Sequence, residues 1–186
     1  MPKKTTTKLK KKPITFAFID SQNLNLGVQS LGWKLDFKKF RIYLKDKLNV
    51  TKAFLFIGYI KENKDLYEKL KDFGYTLVFK PTLKSRKSSS IKGNVDAELV
   101  LHTAKIQFRK YKRAVIVSGD GDFFCLHEDL EKEKKLYKII VPSRRGESSL
   151  LKRFRDYKLY VEGMRPKVER KNGSKTKRRL RVQHKN

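Results

Sequence analysis

The sequence predicts an α/β domain whose mainly parallel central sheet is flanked by helices. Two observations carry this. Apolar runs of strand length alternate with longer segments of helical periodicity. The runs are continuously apolar rather than alternating, the pattern of strands buried on both faces, as in a parallel sheet covered by crossover helices.

Taken in order, residues 14–19 (ITFAFI) form the first apolar run. Residues 35–48 carry Leu35, Phe37, Phe40, Tyr43, Leu44 and Leu48 at helical spacing. A second strand spans 52–60 (KAFLFIGYI), and a short helix at 66–73 ends at Gly74. The third strand, 75–80 (YTLVFK), stops at Pro81, and a basic, serine-rich loop occupies 84–94. The clearest helix covers 95–111, with Val95, Leu99 and Ile106 on one face. Strand 114–118, helix 123–134, strand 136–142, a short helix at 148–154 and an edge strand at 158–162 complete the pattern. Right-handed crossovers then place helices on both faces of the sheet.

At 186 residues the chain has room for one such core and short tails. The expected layout is a basic N-terminal tail at 1–13, a domain at 14–162 and a basic, flexible C-terminal tail at 163–186. No apolar stretch approaches the roughly 18–20 residues of a membrane span, and the basic N-terminus has no secretory h-region after it. The single cysteine, Cys125, excludes an intrachain disulfide and a cysteine-based zinc site. It fits a reducing compartment, so a cytoplasmic location is expected. Cys125 itself reads as a small buried residue.

The formal net charge is +28. Six lysines and no acid precede residue 14, and ten Lys or Arg stand against Glu169 beyond residue 163, which leaves +13 for the core between. A chain this basic, with or without its tails, concentrates polyanions by releasing their counterions, so nucleic acid is the leading partner and a membrane is not expected.

Open parallel sheets bind ligands beyond the carboxyl ends of their strands. Asp20 follows the first strand, and Asp120 and Asp122 follow the fourth within Ser118-Gly119-Asp120-Gly121-Asp122. Asp96 opens the long helix, which should start at the same rim. Four carboxylates from three distant segments would converge there. Crowded carboxylates repel, and a divalent cation relieves the repulsion. Hard oxygen ligands select Mg²⁺ or Mn²⁺, an ion that can activate water and neutralise a phosphodiester. Each acid also has a plainer reading. Asp20 could only cap the next helix, Asp96 could only favour a helix N-terminus, and the Gly-Asp repeat could be an ordinary loop.

FIDSQNL (18–24), KGNVDAEL (92–99) and SGDGDF (118–123) resemble, in order and spacing, the three motifs of the NYN domain, a branch of the PIN-like nuclease superfamily that includes the LabA-like proteins. The resemblance covers about residues 14–162. It implies a single Rossmann-like, PIN-type domain and a metal-dependent ribonuclease. Asp20, Asp96, Asp120 and Asp122 would be the metal-binding acids, with Asn23 orienting a ligand or water. Lys92 would contact phosphate, and Ser118 matches the hydroxyl residue that opens the last motif. The preference for RNA over DNA rests on this resemblance. Ser21 and Gln22 stand where relatives often have Gly or Ala. Asp156, before the last strand, reads as structural.

Arg86, Lys87, Arg144 and Arg145 flank the rim as candidate phosphate contacts. Ser148 and Ser149 read as helix caps. Tyr59 and Trp33 read as packing residues, with base stacking as the alternative. Phe123 and Phe124 read as core anchors, and His102 and His127 as structural. Three alternatives stand beside the nuclease. One is a non-catalytic RNA-binding or regulatory module that keeps the fold. A haloacid-dehalogenase-type phosphatase would need an acid at position 22, where Gln22 stands. A Toprim-type domain would need Glu at position 20. Two basic protomers could also join their grooves, so a homodimer is an open alternative.

Overall fold

The computed structural model describes residues 12–80 and 95–171. Six strands run through it: β1 (Thr15–Asp20), β2 (Val50–Gly58), β3 (Tyr75–Lys80), β4 (Arg113–Val117), β5 (Leu136–Val141) and β6 (Lys158–Tyr160). Between and after them lie α1 (Ser21–Ser30), α2 (Phe37–Leu48), α3 (Lys64–Asp72), α4 (Val95–Leu101), α5 (Phe124–Lys132) and α6 (Arg165–Val168). The strand order is β3-β2-β1-β4-β5-β6 and each pairing is parallel. This is a single α/β domain built on one parallel sheet.

All six residues of β1 are buried. Successive side chains alternate between the two faces, so Ala17 and Ile19 join Leu24, Val28, Phe40 and Leu44 beneath α1 and α2. Phe16 and Phe18 join Phe54, Phe56, Leu99, Leu126 and Phe154 on the other side. That is why the strands read as unbroken apolar runs.

Several elements differ from the sequence expectation. The α1 helix was not expected as a defined element. Its stretch, SQNLNLGVQS, is mostly polar, and only Leu24 and Val28, one turn apart, anchor it along with Ser21. The second helix starts at Phe37 rather than Leu35, because Asp36 caps it by accepting from Lys39 N at 3.0 Å. The helix expected over 95–111 stays α-helical only to Leu101. A π-helical turn, His102–Ile106, follows, then a 3₁₀ turn, Phe108–Lys110. The cause is local competition for backbone groups. Thr103 Oγ1 donates to Leu99 O at 2.7 Å, the Tyr111 hydroxyl donates to Thr103 O at 2.9 Å, and Gln107 N reaches back to His102 O. The expected short helix at 148–154 is a 3₁₀ segment, Ser149–Tyr157, and the last strand is shortened to Lys158–Tyr160.

Packing continues past the last strand. Met164 and Val168 are buried in the core beside α2. Asp36 N donates to Val168 O at 2.8 Å, and Arg170 N to Lys34 O at 2.9 Å. Among the described residues, no helix is long and apolar enough to cross a membrane.

Candidate active site

The strand order reverses between β1 and β4: one neighbour sequence leads off through β2, the other through β5. At such a switch point the loops leave in opposite directions and open a crevice at the carboxyl edge. A cleft of about 510 Å³ lies there, lined among others by Asp20, Asn23, Asp96, Gly119, Asp120 and Ser143.

Asp20 is the last residue of β1 and only 5% exposed. It caps α1, its Oδ1 accepting from Gln22 N and Asn23 N at 3.0 Å each. The carboxylate that caps α1 therefore also lines the cleft. Asn23 crosses to the other strand, its Oδ1 accepting from Gly119 N at 2.9 Å. This bond joins the end of β1 to the loop after β4. In that loop the buried Ser118 hydroxyl accepts from Asp120 N at 3.2 Å, and Asp120 Oδ1 accepts from Asp122 N at 3.0 Å. Asp120 thus starts a 3₁₀ turn, Gly121–Phe123, that leads into α5.

The loop after β5 closes the far wall. Ser148 N donates to Gly119 O at 3.0 Å, and Ser148 Oγ packs so closely on Gly121 that a Cβ there would collide with it. A Cβ at Gly27 would come within 2.5 Å of Pro142 Cβ, so this glycine lets α1 lie against the β5 loop.

Of the residues singled out in the sequence, Asp20, Asn23, Asp96 and Asp120 meet in one cleft. Ser118 is buried beneath it as a support. Asp122 is exposed on the 3₁₀ turn and is not among the lining residues. Arg144 and Arg145 are exposed on the 3₁₀ turn Arg144–Gly146, whose Gly146 lines the cleft. Arg144 points toward the end of β6, with its guanidinium 3.8 Å above the Tyr160 ring and its Nε 3.4 Å from Glu162. Arg86, Lys87 and Lys92 lie outside the described residues. Ser148 does cap the 3₁₀ segment, accepting from Leu150 N. Trp33 is buried with Arg165 over its ring, as a packing residue should be. Cys125 departs from expectation: it is exposed, because α5 turns Leu126, His127 and Leu130 inward instead.

Sequence reasoning passed over Ser143. It is 3% exposed, it lines the cleft, and its hydroxyl has no hydrogen-bond partner among the described residues. A buried hydroxyl without a partner is costly unless a ligand or water completes it. The strand-end rule that found the acids also points to Ser143, two residues beyond β5, but that rule was applied to carboxylates only.

The polar lining groups named here are oxygen donors, the hard ligands that suit Mg²⁺ or Mn²⁺. Among the described residues, no three His, Cys, Asp or Glu side chains stand close enough together to hold an ion by themselves. An ion here would rest on one or two carboxylates and complete its shell with water, which is the common mode for Mg²⁺.

Fold and site together define an α/β domain with an acid-lined crevice at its switch point, the architecture of a PIN-like nuclease. The NYN domain profile matches residues 15–162, and the chain belongs to the NYN domain family, whose members are generally nuclease-like. A solved structure of a protein of unknown function from Vibrio parahaemolyticus superposes with a TM-score of 0.68 at 23% identity, covering 83% of this chain and 96% of that one. That likeness speaks for the fold. No curated protein matches the chain.

Proposed function

We propose that this protein is a divalent-metal-dependent ribonuclease that hydrolyses phosphodiester bonds in the crevice between β1 and β4. The observation that carries this reading is that Asp20 and Asp120, at the ends of adjacent parallel strands, line one cleft in a chain of net charge +28. Asp20 and Asp120 would hold Mg²⁺ or Mn²⁺, with water completing its shell and Asp96 lining the same cleft. When bound, such an ion polarises a phosphoryl oxygen and makes water a competent nucleophile near neutral pH.

The protein supplies the rest. Asn23 holds the β4 loop so that Asp20 and Asp120 keep their spacing. The Ser143 hydroxyl donates to a non-bridging phosphate oxygen, which completes its missing hydrogen bond. The backbone N–H at position 122 fixes the Asp120 carboxylate, while the Asp122 side chain is exposed and off the cleft lining. Arg145, with Arg86, Lys87 and Lys92, neutralises flanking phosphates, and the basic chain ends hold the strand. Binding should therefore weaken steeply with salt.

The test is cleavage of labelled single-stranded and structured RNA and matched DNA, with Mg²⁺, with Mn²⁺ and with chelator. Cleavage should require metal and vanish in Asp120→Asn. Equal cleavage in chelator would refute the metal-nuclease reading. Tight, salt-sensitive binding with no cleavage under either metal would favour a non-catalytic RNA-binding module instead. Removing residues 1–11 and 172–186 should weaken binding far more than it slows the bound reaction.

A further inference from the structure

The carboxyl ends of β2 and β3 carry a feature that the proposed chemistry leaves unused. Tyr59, just past β2, and Phe79, near the end of β3, are 42% and 37% exposed. Their rings are 5.4 Å apart and nearly perpendicular. Both lean on the buried ring of Tyr67 from α3: Tyr59 is nearly parallel to it at 5.8 Å, and Phe79 is edge-on at 4.9 Å. The Tyr67 hydroxyl accepts from Ile60 N at 2.7 Å and donates to Gly58 O at 3.1 Å. A single phenol thus clamps the backbone on both sides of Tyr59. The result is an exposed aromatic pair fixed in place before any ligand arrives.

We propose that Tyr59 and Phe79 form a stacking platform for an unpaired base of a single-stranded nucleic acid that runs along this rim into the cleft. Three observations choose that occupant. The platform shares its rim with the acids. Asp20 pairs in register with Phe56, and Tyr59 lies three residues further along, about 10 Å at strand rise. The chain's charge of +28 selects a polyanion. The exposed apolar area is small: two half-exposed rings with Ile60 and Leu66 beside them fall well short of the roughly 800 Å² per partner of a stable protein interface. Exposed Lys61 and Lys64 alternate with exposed Glu62 and Asp65, so the local charge is balanced and the platform contributes through ring contact. Every base offers a face, so this contact reads single-strandedness rather than sequence.

The inference rests on the nucleic-acid reading above, but not on turnover. Its test is equilibrium binding of the full chain in chelator to three fluorescent oligonucleotides of equal length: an oligouridine, the same backbone with abasic positions, and a duplex. The oligouridine should bind wild type more tightly than the abasic strand. Tyr59→Leu should weaken oligouridine binding about tenfold, the scale of one lost base–aromatic stack, and leave abasic and duplex binding unchanged. The slope of log K against log salt should also stay the same, since no phosphate contact is lost. Tyr59→Phe should restore binding, and Phe79→Leu should fall between.

Equal binding of oligouridine and abasic strand by wild type overturns the platform, whatever the variants do. So does a Tyr59→Leu loss shared by all three ligands, or a change from dimer to monomer in sedimentation, which would make the patch a self-association surface. Failure of wild type to bind any strand overturns both this inference and the nucleic-acid reading. Base-dependent binding without cleavage in either Mg²⁺ or Mn²⁺ would refute the nuclease and leave the platform standing.

Discussion

The two halves of the sheet's carboxyl rim are built from different chemistry. On the β1–β4–β5 half, strand ends deliver Asp20, Asp120 and Ser143, and hydrogen bonds brace the loops that carry them: Gly119 N to Asn23 and Ser148 N to Gly119 between segments, and Asp120 N to Ser118 within the β4 loop. On the β2–β3 half, strand ends deliver Tyr59 and Phe79, and ring contacts with the Tyr67 clamp hold them. Hydrogen bonds fix direction as well as distance, which groups gathered around an ion and a phosphate need. Ring contacts tolerate sliding, which suits binding any base. Under the proposed function, chemistry would belong to one half and grip to the other, and variants in each half separate the two.

The largest expected effect comes from the acid half. Asp120→Asn should cut cleavage by about 100-fold or more, since outer-shell changes around a metal already cost 10–100-fold. The asparagine Oδ1 still accepts from Asp122 N, and Asn caps nearly as well as Asp, so the thermal midpoint should hardly move. Single-turnover cleavage and a melting curve check both. A large loss of stability would mean that the carboxylate serves the fold first.

The acid half also stands on a pH-sensitive support. Its 3₁₀ turn feeds α5, where His127 is fully buried against Phe154, with neither ring nitrogen hydrogen-bonded among the described residues. Burial lowers its pKa from 6.5 to about 4. Above pH 6.5 the imidazole is neutral in both folded and unfolded chains. As pH falls from 6.5 toward 4, the unfolded chain takes up the proton and the folded one does not. Stability present above 6.5 is thereby lost, by about 3 kcal/mol once pH passes below the folded pKa. Urea unfolding at pH 7 and pH 4.5 should show this loss in wild type and much less of it in His127→Phe. Hydrogen exchange at pH 4.5 should open α5 before α3. The reverse order would place the pH-sensitive support elsewhere.

What was legible in the sequence follows the same division. Asp20 and Asp120 could be found because a strand end and a carboxylate are both local signals. The β1–β4 adjacency that brings them together belongs to the crossovers and needed the fold. Helix α1 was missed because its polar stretch becomes helical through the Asp20 cap and the close approach of Gly27 to Pro142, neither of which shows in periodicity. The π-helical turn escaped because it depends on a hydroxyl eight residues away, that of Tyr111. Tyr59 could be weighed for stacking, but its partnership with Phe79 exists only through the β2–β3 register.

A middle-sized effect tests the hinge of the acid half. Asn23→Ala removes the acceptor for Gly119 N and leaves a largely buried donor without it, at a cost of about 1–3 kcal/mol. The urea midpoint should fall accordingly. If Asn23 also sets the spacing of the acids, cleavage of saturating substrate should drop beyond what the folded fraction explains, while oligouridine binding through Tyr59 holds. Equal loss of both would mean that the two halves are not separable.

The smallest effect is the most specific. Ser143→Ala removes a hydroxyl that makes no hydrogen bond among the described residues, so stability should stay level or rise slightly. If that hydroxyl meets the phosphodiester, the substitution costs one hydrogen bond to a charged oxygen, about 1.5–3 kcal/mol, or roughly 10- to 150-fold in kcat/KM. A loss in KM alone would place the contact in the bound substrate, and an equal loss in kcat would place it in the transition state. Unchanged kinetics would assign Ser143 to a trapped water, and would leave the scissile phosphate to the ion that the acids hold.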